Sequence, residues 1–121
     1  MPEVHQAVGG LVLALNLVAG LWGILVYRGR LVAGRPFEQV LALSHTVVVG
    51  QTMLGLLLLG SRHKAPVQLH YVYGAAPALA VLFAYSSRTE DPRRNTLVFS
   101  VIALFIAAVG TRAFMTGMGW G

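Results

Sequence analysis

The chain contains no cysteine, and only 11% of its 121 residues are charged. Without cysteine it can form no disulfide, no thiolate metal site and no covalent c-type haem attachment. Aspartate and glutamate together number only four, and none of them lies deep in an apolar run, so a carboxylate proton relay is not expected. The Gly-x-Ser-x-Gly and phosphate-loop motifs are also missing. The sequence therefore favours an electron carrier or a subunit over a stand-alone catalyst.

Apolar residues dominate the composition of the chain. Hydrophobic side chains make up 56% of the chain, and the mean hydropathy is +0.70. The net charge of +5 comes from basic residues at the ends of apolar runs, whereas a nucleic-acid surface needs clustered lysine and arginine. A length of 121 residues allows a single domain over 1–121. We expect an integral membrane protein whose main partner is the lipid bilayer, and no nucleic-acid partner.

Four apolar runs are each close to the roughly 20 residues that a helix needs to cross a bilayer. The connections between them are short, which is typical of antiparallel neighbours. The sequence therefore predicts an all-α fold, an integral membrane four-helix bundle with up-down-up-down topology. The predicted spans are about 4–27, 37–60, 67–85 and 97–115, and Asn95 is a candidate cap for the last one.

The distribution of basic residues predicts the orientation of these spans. Six arginines flank one end of the runs, while the opposite end has two basic residues in the connecting segment, with Arg112 just inside the last run. Because the more basic end usually faces the cytoplasm, both termini are expected on the extracytoplasmic side of the cell (inner) membrane. The six arginines are Arg28, Arg30, Arg35, Arg88, Arg93 and Arg94.

Two histidines open apolar runs, and each is followed by glycine four residues later: His5 with Gly9, and His70 with Gly74. On a helix this spacing places the glycine on the face of the histidine, one turn along. An imidazole beside a bare stretch of backbone suits a flat macrocycle. We therefore expect His5 and His70, on parallel and diagonally opposed helices, to bind the iron of one haem b.

Other polar residues near this end of the runs are candidates for contacts with the same group. Arg62 and Arg112 are suited to the propionates, and a buried arginine in a span needs such an anion. Counted from the inner arginines, His5 and His70 differ in depth by five residues, or roughly 7 Å. A tilt or a kink at Pro77 would have to cancel that difference.

His45 lies nearer the inner half of its run, where no second histidine occurs at the same depth. Two interpretations are open for it. It is either hydrogen-bonded to a neighbouring helix, or it contacts a haem edge or a quinone together with Ser44 or Gln51.

The segment from His45 to Tyr85 carries Gln51-Thr-Met-Leu-Gly55, then Pro66, then Leu69-His70, and this pattern resembles one half of the haem A synthase family. The resemblance implies a four-helix haem-binding unit in which His5 and His70 match the two haem-ligand histidines, with Gln51 beside the site. The chain has Gln6 where that family usually has arginine after the first histidine, and it has one half rather than two. A haem b subunit is therefore favoured over the oxidation chemistry of the family.

Three functions remain open from the sequence. The first is electron transfer by a haem b subunit of a respiratory or photosynthetic membrane complex, with a quinone, other subunits or a second copy of the chain as partner. The second is an oxidase-assembly factor that handles haem or copper, in which Met115 and Met118 with His5 would form a soft site. The third is an accessory subunit that binds no cofactor.

Overall fold

The computed structural model describes residues 2–32, 34–60 and 69–117, and within them the chain is all-helical. Four helices occur there and no strand is found in this part of the chain. The predicted all-α class is thus confirmed, and the helix ends lie within two residues of the predicted spans except at the fourth. The helices are α1 (Pro2–Tyr27), α2 (Arg35–Gly60), α3 (Leu69–Ser86) and α4 (Pro92–Gly117).

The end of α1 is fixed by Gly29. The N–H of Arg30 donates to the carbonyl of Leu25 (2.8 Å), and that of Gly29 donates to the carbonyl of Val26 (3.0 Å). These two bonds form a Schellman motif, which needs a residue in the left-handed region after the helix. Gly29 supplies it with φ of 76°. A glycine there lets the chain turn directly into the connection to α2.

The start of α4 differs from the prediction. The helix begins at Pro92, and the Oδ1 atom of Asp91 accepts a hydrogen bond from the N–H of Arg93 (3.0 Å). Asp91 is therefore the cap, with proline in the first helical position. Asn95 lies inside the helix. Its Oδ1 atom accepts a hydrogen bond from the N–H of Thr89, and its Nδ2 atom donates one to the carbonyl of Thr89. Its predicted capping role is wrong, because the apolar run starts later than the helix does.

Three of the helices are long and apolar enough to span a membrane, as far as the described residues go: Glu3–Tyr27, Arg35–Gly60 and Pro92–Thr116. α3 has 18 residues, which gives a length of about 27 Å at 1.5 Å per residue, slightly less than the hydrocarbon thickness of about 30 Å. Pro77 lies inside this helix. The prediction that α3 also crosses the membrane stays a prediction.

The helices pack in a ring in which α1 contacts α2 and α4, and α3 contacts α4 and, least extensively, α2. The contact between α1 and α4 is the closest, because Gly20 and Gly23 of α1 face Leu104 and Ser100 of α4 with no room for a side chain. Small residues such as Ala19 and Ala103 are buried around them. Dispersion contacts between closely approaching backbones hold such helices together in lipid, where the hydrophobic effect between them is absent.

Large apolar side chains cover the outside of the helices along their whole length. Leu56, Leu79, Leu82 and Phe83 are each at least 60% exposed. A soluble monomer rarely shows a contiguous apolar surface of this kind. Together with the three long apolar helices, this surface is consistent with a membrane protein.

Candidate functional site

A cavity of about 390 Å³ lies among the four helices, at the end where α1 and α3 begin. Every helix contributes to its lining, and the lining is mostly apolar with a few polar groups, as is common for small-molecule sites. The residues that line it from α2 and α3 include the exposed Leu56, Leu59 and Tyr71. The cavity therefore reaches the outer surface of the protein between α2 and α3, the neighbouring helices that pack least against each other. His5 and His70 are its two imidazoles.

His70 is oriented by the backbone of α4. Its Nδ1 atom lies 2.9 Å from the carbonyl oxygen of Ala113, and because a carbonyl only accepts, Nδ1 is the protonated nitrogen. In the neutral form of the ring, the lone pair is therefore on Nε2. A backbone acceptor on one ring nitrogen is the usual device that orients a metal-binding histidine and makes the other nitrogen more basic.

His5 is held differently, by its main chain. The side-chain amide Nε2 of Gln51 donates to the carbonyl oxygen of His5 at 2.7 Å. The imidazole Nδ1 of His5 is buried and has no hydrogen-bond partner, and the Oε1 atom of Gln51 is in the same condition. Gln51 thus fixes the helix at His5 and leaves the ring without a hydrogen bond at Nδ1.

The two imidazoles are in contact although they belong to different helices. Their ring centres are 5.8 Å apart and the ring planes are almost perpendicular, at 85°. The difference in depth expected from residue counting therefore does not separate the rings.

Glycines form part of the cavity wall and differ in what surrounds them. Gly9, Gly55, Gly74 and Gly110 all line it. A Cβ atom added at Gly55 would lie 3.3 Å from Cε1 of His5, and one added at Gly9 would lie 3.2 Å from Nε2 of Gln51. A Cβ atom added at Gly74 would have no neighbour within 4 Å outside its own helix. Glycine at 9 and 55 permits the close approach of the His5 and Gln51 side chains. Gly74 leaves open space in the cavity wall.

Five of the seven residues that the sequence singles out therefore lie on one cavity: His5, Gly9, Gln51, His70 and Gly74. Arg112 is not among the residues that line it, and its guanidinium lies 5.9 Å from the centre of the Tyr73 ring. Arg62 lies outside the described residues.

One of the two methionines of the copper alternative lies in the described part of the chain. Met115 does not line the cavity, and Met118 lies outside the described residues. Throughout residues 2–32, 34–60 and 69–117, no group of three or more histidine, aspartate, glutamate or cysteine side chains is placed to hold a metal ion. A metal held by the cavity would thus depend on the two imidazoles and on ligands from its own cofactor.

His45 belongs to a separate cluster. Its Nδ1 atom and the hydroxyl of Tyr85 form a hydrogen bond of 2.8 Å between α2 and α3. The rings of His45, Tyr85 and Phe99 are mutually packed at centre distances of 5.2–5.5 Å. The interpretation of His45 as a histidine bonded to a neighbouring helix is confirmed. Ser44 bonds the carbonyl of Leu41 in its own helix.

Several residues of the site are not identified by sequence reasoning. The acceptor for His70 is a backbone carbonyl, which any residue in place of Ala113 would supply, so no signal marks it. Phe114 and Gly110 line the cavity from α4. Which residues of α4 face the cavity depends on how this helix is rotated about its own axis, and the sequence does not give that rotation. Gly55 belongs to the Gln51-to-Gly55 pattern, yet its contact with His5 depends on how α1 and α2 pack.

Comparison of the chain with protein-family models, with curated proteins and with solved structures finds no match.

Proposed function

We propose that the protein is an integral membrane haem b protein in which His5 and His70 are the two axial ligands. The observation that carries the proposal is the pair of imidazoles 5.8 Å apart on a common cavity. His5 and His70 would hold the iron through one nitrogen each. A metal–nitrogen bond is about 2 Å long, and a ring-centre separation of 5.8 Å leaves room for two such bonds.

The chemistry of the lining also fits a haem. Four glycines and several leucines offer a flat, apolar wall, and the lone pair on Nε2 of His70 is the donor that iron requires. A haem with two histidine ligands supplies reversible one-electron transfer, and the residues of this chain hold it, exclude water from it and set its potential through burial.

We propose an up-down-up-down bundle with both termini on the extracytoplasmic side of the cell (inner) membrane. Contacts between opposite ends of successive helices support the topology: His5 meets Gln51, and His70 meets Ala113. At the other end, Arg93 lies over the ring of Tyr27 at 4.2 Å. Most basic residues lie at that end, which the positive-inside rule assigns to the cytoplasm.

The site would therefore exchange electrons near the extracytoplasmic surface. Its partner in this proposal is a quinone or another subunit of a respiratory or photosynthetic complex. A relationship to one half of the haem A synthase family belongs to the same proposal and rests on the Gln51-to-Gly55 pattern and Leu69-His70. The alternatives are a subunit without a cofactor, which the optical spectrum distinguishes, and an assembly factor that handles haem or copper, for which metal analysis of the purified protein detects copper.

The test is the reduced-minus-oxidised optical spectrum of the full-length protein purified in a mild detergent. We expect the bands of low-spin b-type haem in the wild type and their loss in the His5→Ala/His70→Ala double variant. His45→Gln is the matched control, because His45 lies outside the cavity, and it should retain the spectrum. Haem bands of unchanged intensity in the double variant would refute the assignment of the ligands.

A further inference from the structure

The two imidazoles of the cavity are restrained very unequally. His70 donates from Nδ1 to the Ala113 carbonyl at 2.9 Å, so its tautomer and its orientation are both set by α4. His5 has a buried Nδ1 atom without a partner. Among the described residues, Gln51 bonds the main-chain oxygen of His5, and no hydrogen bond at Nδ1 sets the orientation of the His5 ring.

A hydrogen-bonded ligand is both more basic and better pre-organised than a ligand without that support. Loss of such an outer partner typically weakens metal binding roughly 10- to 100-fold. If His5 left the metal, it would break no ring hydrogen bond at Nδ1. If His70 left, the bond to Ala113 would have to break or the ring would have to tilt around it.

We infer that His70 is the permanent ligand and His5 the exchangeable one, so that the cavity accepts a small neutral ligand in place of the His5 imidazole. This inference rests on the proposed haem function and names a ligand class for that site, small π-acceptor molecules for which carbon monoxide is the probe. The cavity has room for such a molecule, since His5 lines a space of about 390 Å³.

The experiment compares His5→Gly with His70→Gly in the full-length protein. These changes remove the same side chain from the first turns of two helices. We expect His5→Gly to retain most of its haem, to bind carbon monoxide readily when reduced, and to regain a low-spin spectrum when free imidazole is added. His70→Gly should contain roughly tenfold less haem, and imidazole should not restore it.

A second variant keeps both ligands and therefore serves if a glycine variant does not fold. Gln51→Leu removes the bond that holds the backbone at His5. We expect carbon monoxide to bind to the reduced protein several-fold faster, per haem bound, than in the wild type. An unchanged rate would count against an exchangeable His5.

The outcomes separate the two proposals. A wild-type protein without haem overturns the proposed function and this inference with it. A wild-type protein with haem whose two glycine variants lose it equally, or in which His70→Gly retains it better, overturns the inference alone. Retention in His5→Gly with rescue by imidazole supports both.

Discussion

The hydroxyl of Tyr85 lies 2.8 Å from Nδ1 of His45 and connects α3 to α2, the two neighbouring helices that pack least against each other. His45 is only 6% exposed, so water cannot readily replace the tyrosine as its partner. Phe99 of α4 packs against both rings. The cluster therefore joins three helices, and its residues do not line the cavity.

Replacement of Tyr85 by phenylalanine should destabilise the protein while leaving the haem spectrum unchanged. The substitution leaves a buried imidazole nitrogen without a partner, which costs about 1–3 kcal/mol. Thermal unfolding in detergent measures the effect. Tyr27→Phe is the matched control, because it keeps the ring beneath Arg93, and it should change stability by less than about 0.5 kcal/mol. Equal effects of the two variants would argue against the His45 bond.

Gly74→Leu should abolish most haem binding without unfolding the protein. Position 74 lines the cavity and has open space around it, so the leucine would occupy room that the cofactor needs. An overpacking cost of about 1–3 kcal/mol corresponds to a roughly 5- to 150-fold loss of affinity. Haem titration of the apoprotein measures it.

Gly50→Leu controls for the general effect of a leucine at a helical glycine. Gly50 also has no atom outside its own helix within 4 Å, and it does not line the cavity. The affinity of the Gly50→Leu variant for haem should equal that of the wild type. If the variants at 74 and 50 bound haem equally well, the cofactor would lie elsewhere.

Gly23→Ala should destabilise the contact between α1 and α4. A Cβ atom there would overlap the side chain of Ser100 and approach Phe37 to 3.3 Å, so the helices would have to separate. Overpacking of this kind costs about 1–3 kcal/mol. Gly10→Ala provides the comparison, since nothing lies within 4 Å of its added carbon, and alanine is the better helix former by about 1 kcal/mol. Melting temperatures that fell in both variants would contradict this packing.

The absence of cysteine allows a direct test of orientation. Single cysteines at Glu3 and Glu90, both exposed, lie at opposite ends of the helices. A membrane-impermeant maleimide should label Glu3→Cys on intact cells, and should label Glu90→Cys only after the membrane is permeabilised, because the arginine-rich end is expected in the cytoplasm. The reverse pattern would invert the proposed topology and place the cavity on the cytoplasmic side.

Much of the fold follows from the sequence because lipid imposes simple requirements. Apolar runs bounded by Pro36 and by the arginines near position 28 give the ends of α1 and α2 to within about two residues. The start of α4 is the exception. Hydropathy marks the part of a helix that lies in lipid, whereas Asp91 and Pro92 begin the helix in its polar extension.

The candidate site follows from the sequence only in part. The spacing of histidine and glycine is a property of one helix, so it identifies His5 with Gly9 and His70 with Gly74. The bond from His70 to Ala113 and the bond from His45 to Tyr85 depend on the rotation of two helices about their axes. Helices that are apolar on nearly every side carry little information about that rotation.

The measurement that tests the central claim most directly is the ratio of haem to protein by pyridine haemochrome analysis, on full-length chain produced with sufficient haem. The proposed site, formed by one His5 and one His70, predicts b-type haem at a ratio approaching one per chain, and far less in the double alanine variant. A colourless wild-type protein, or the same haem content in both proteins, would contradict it.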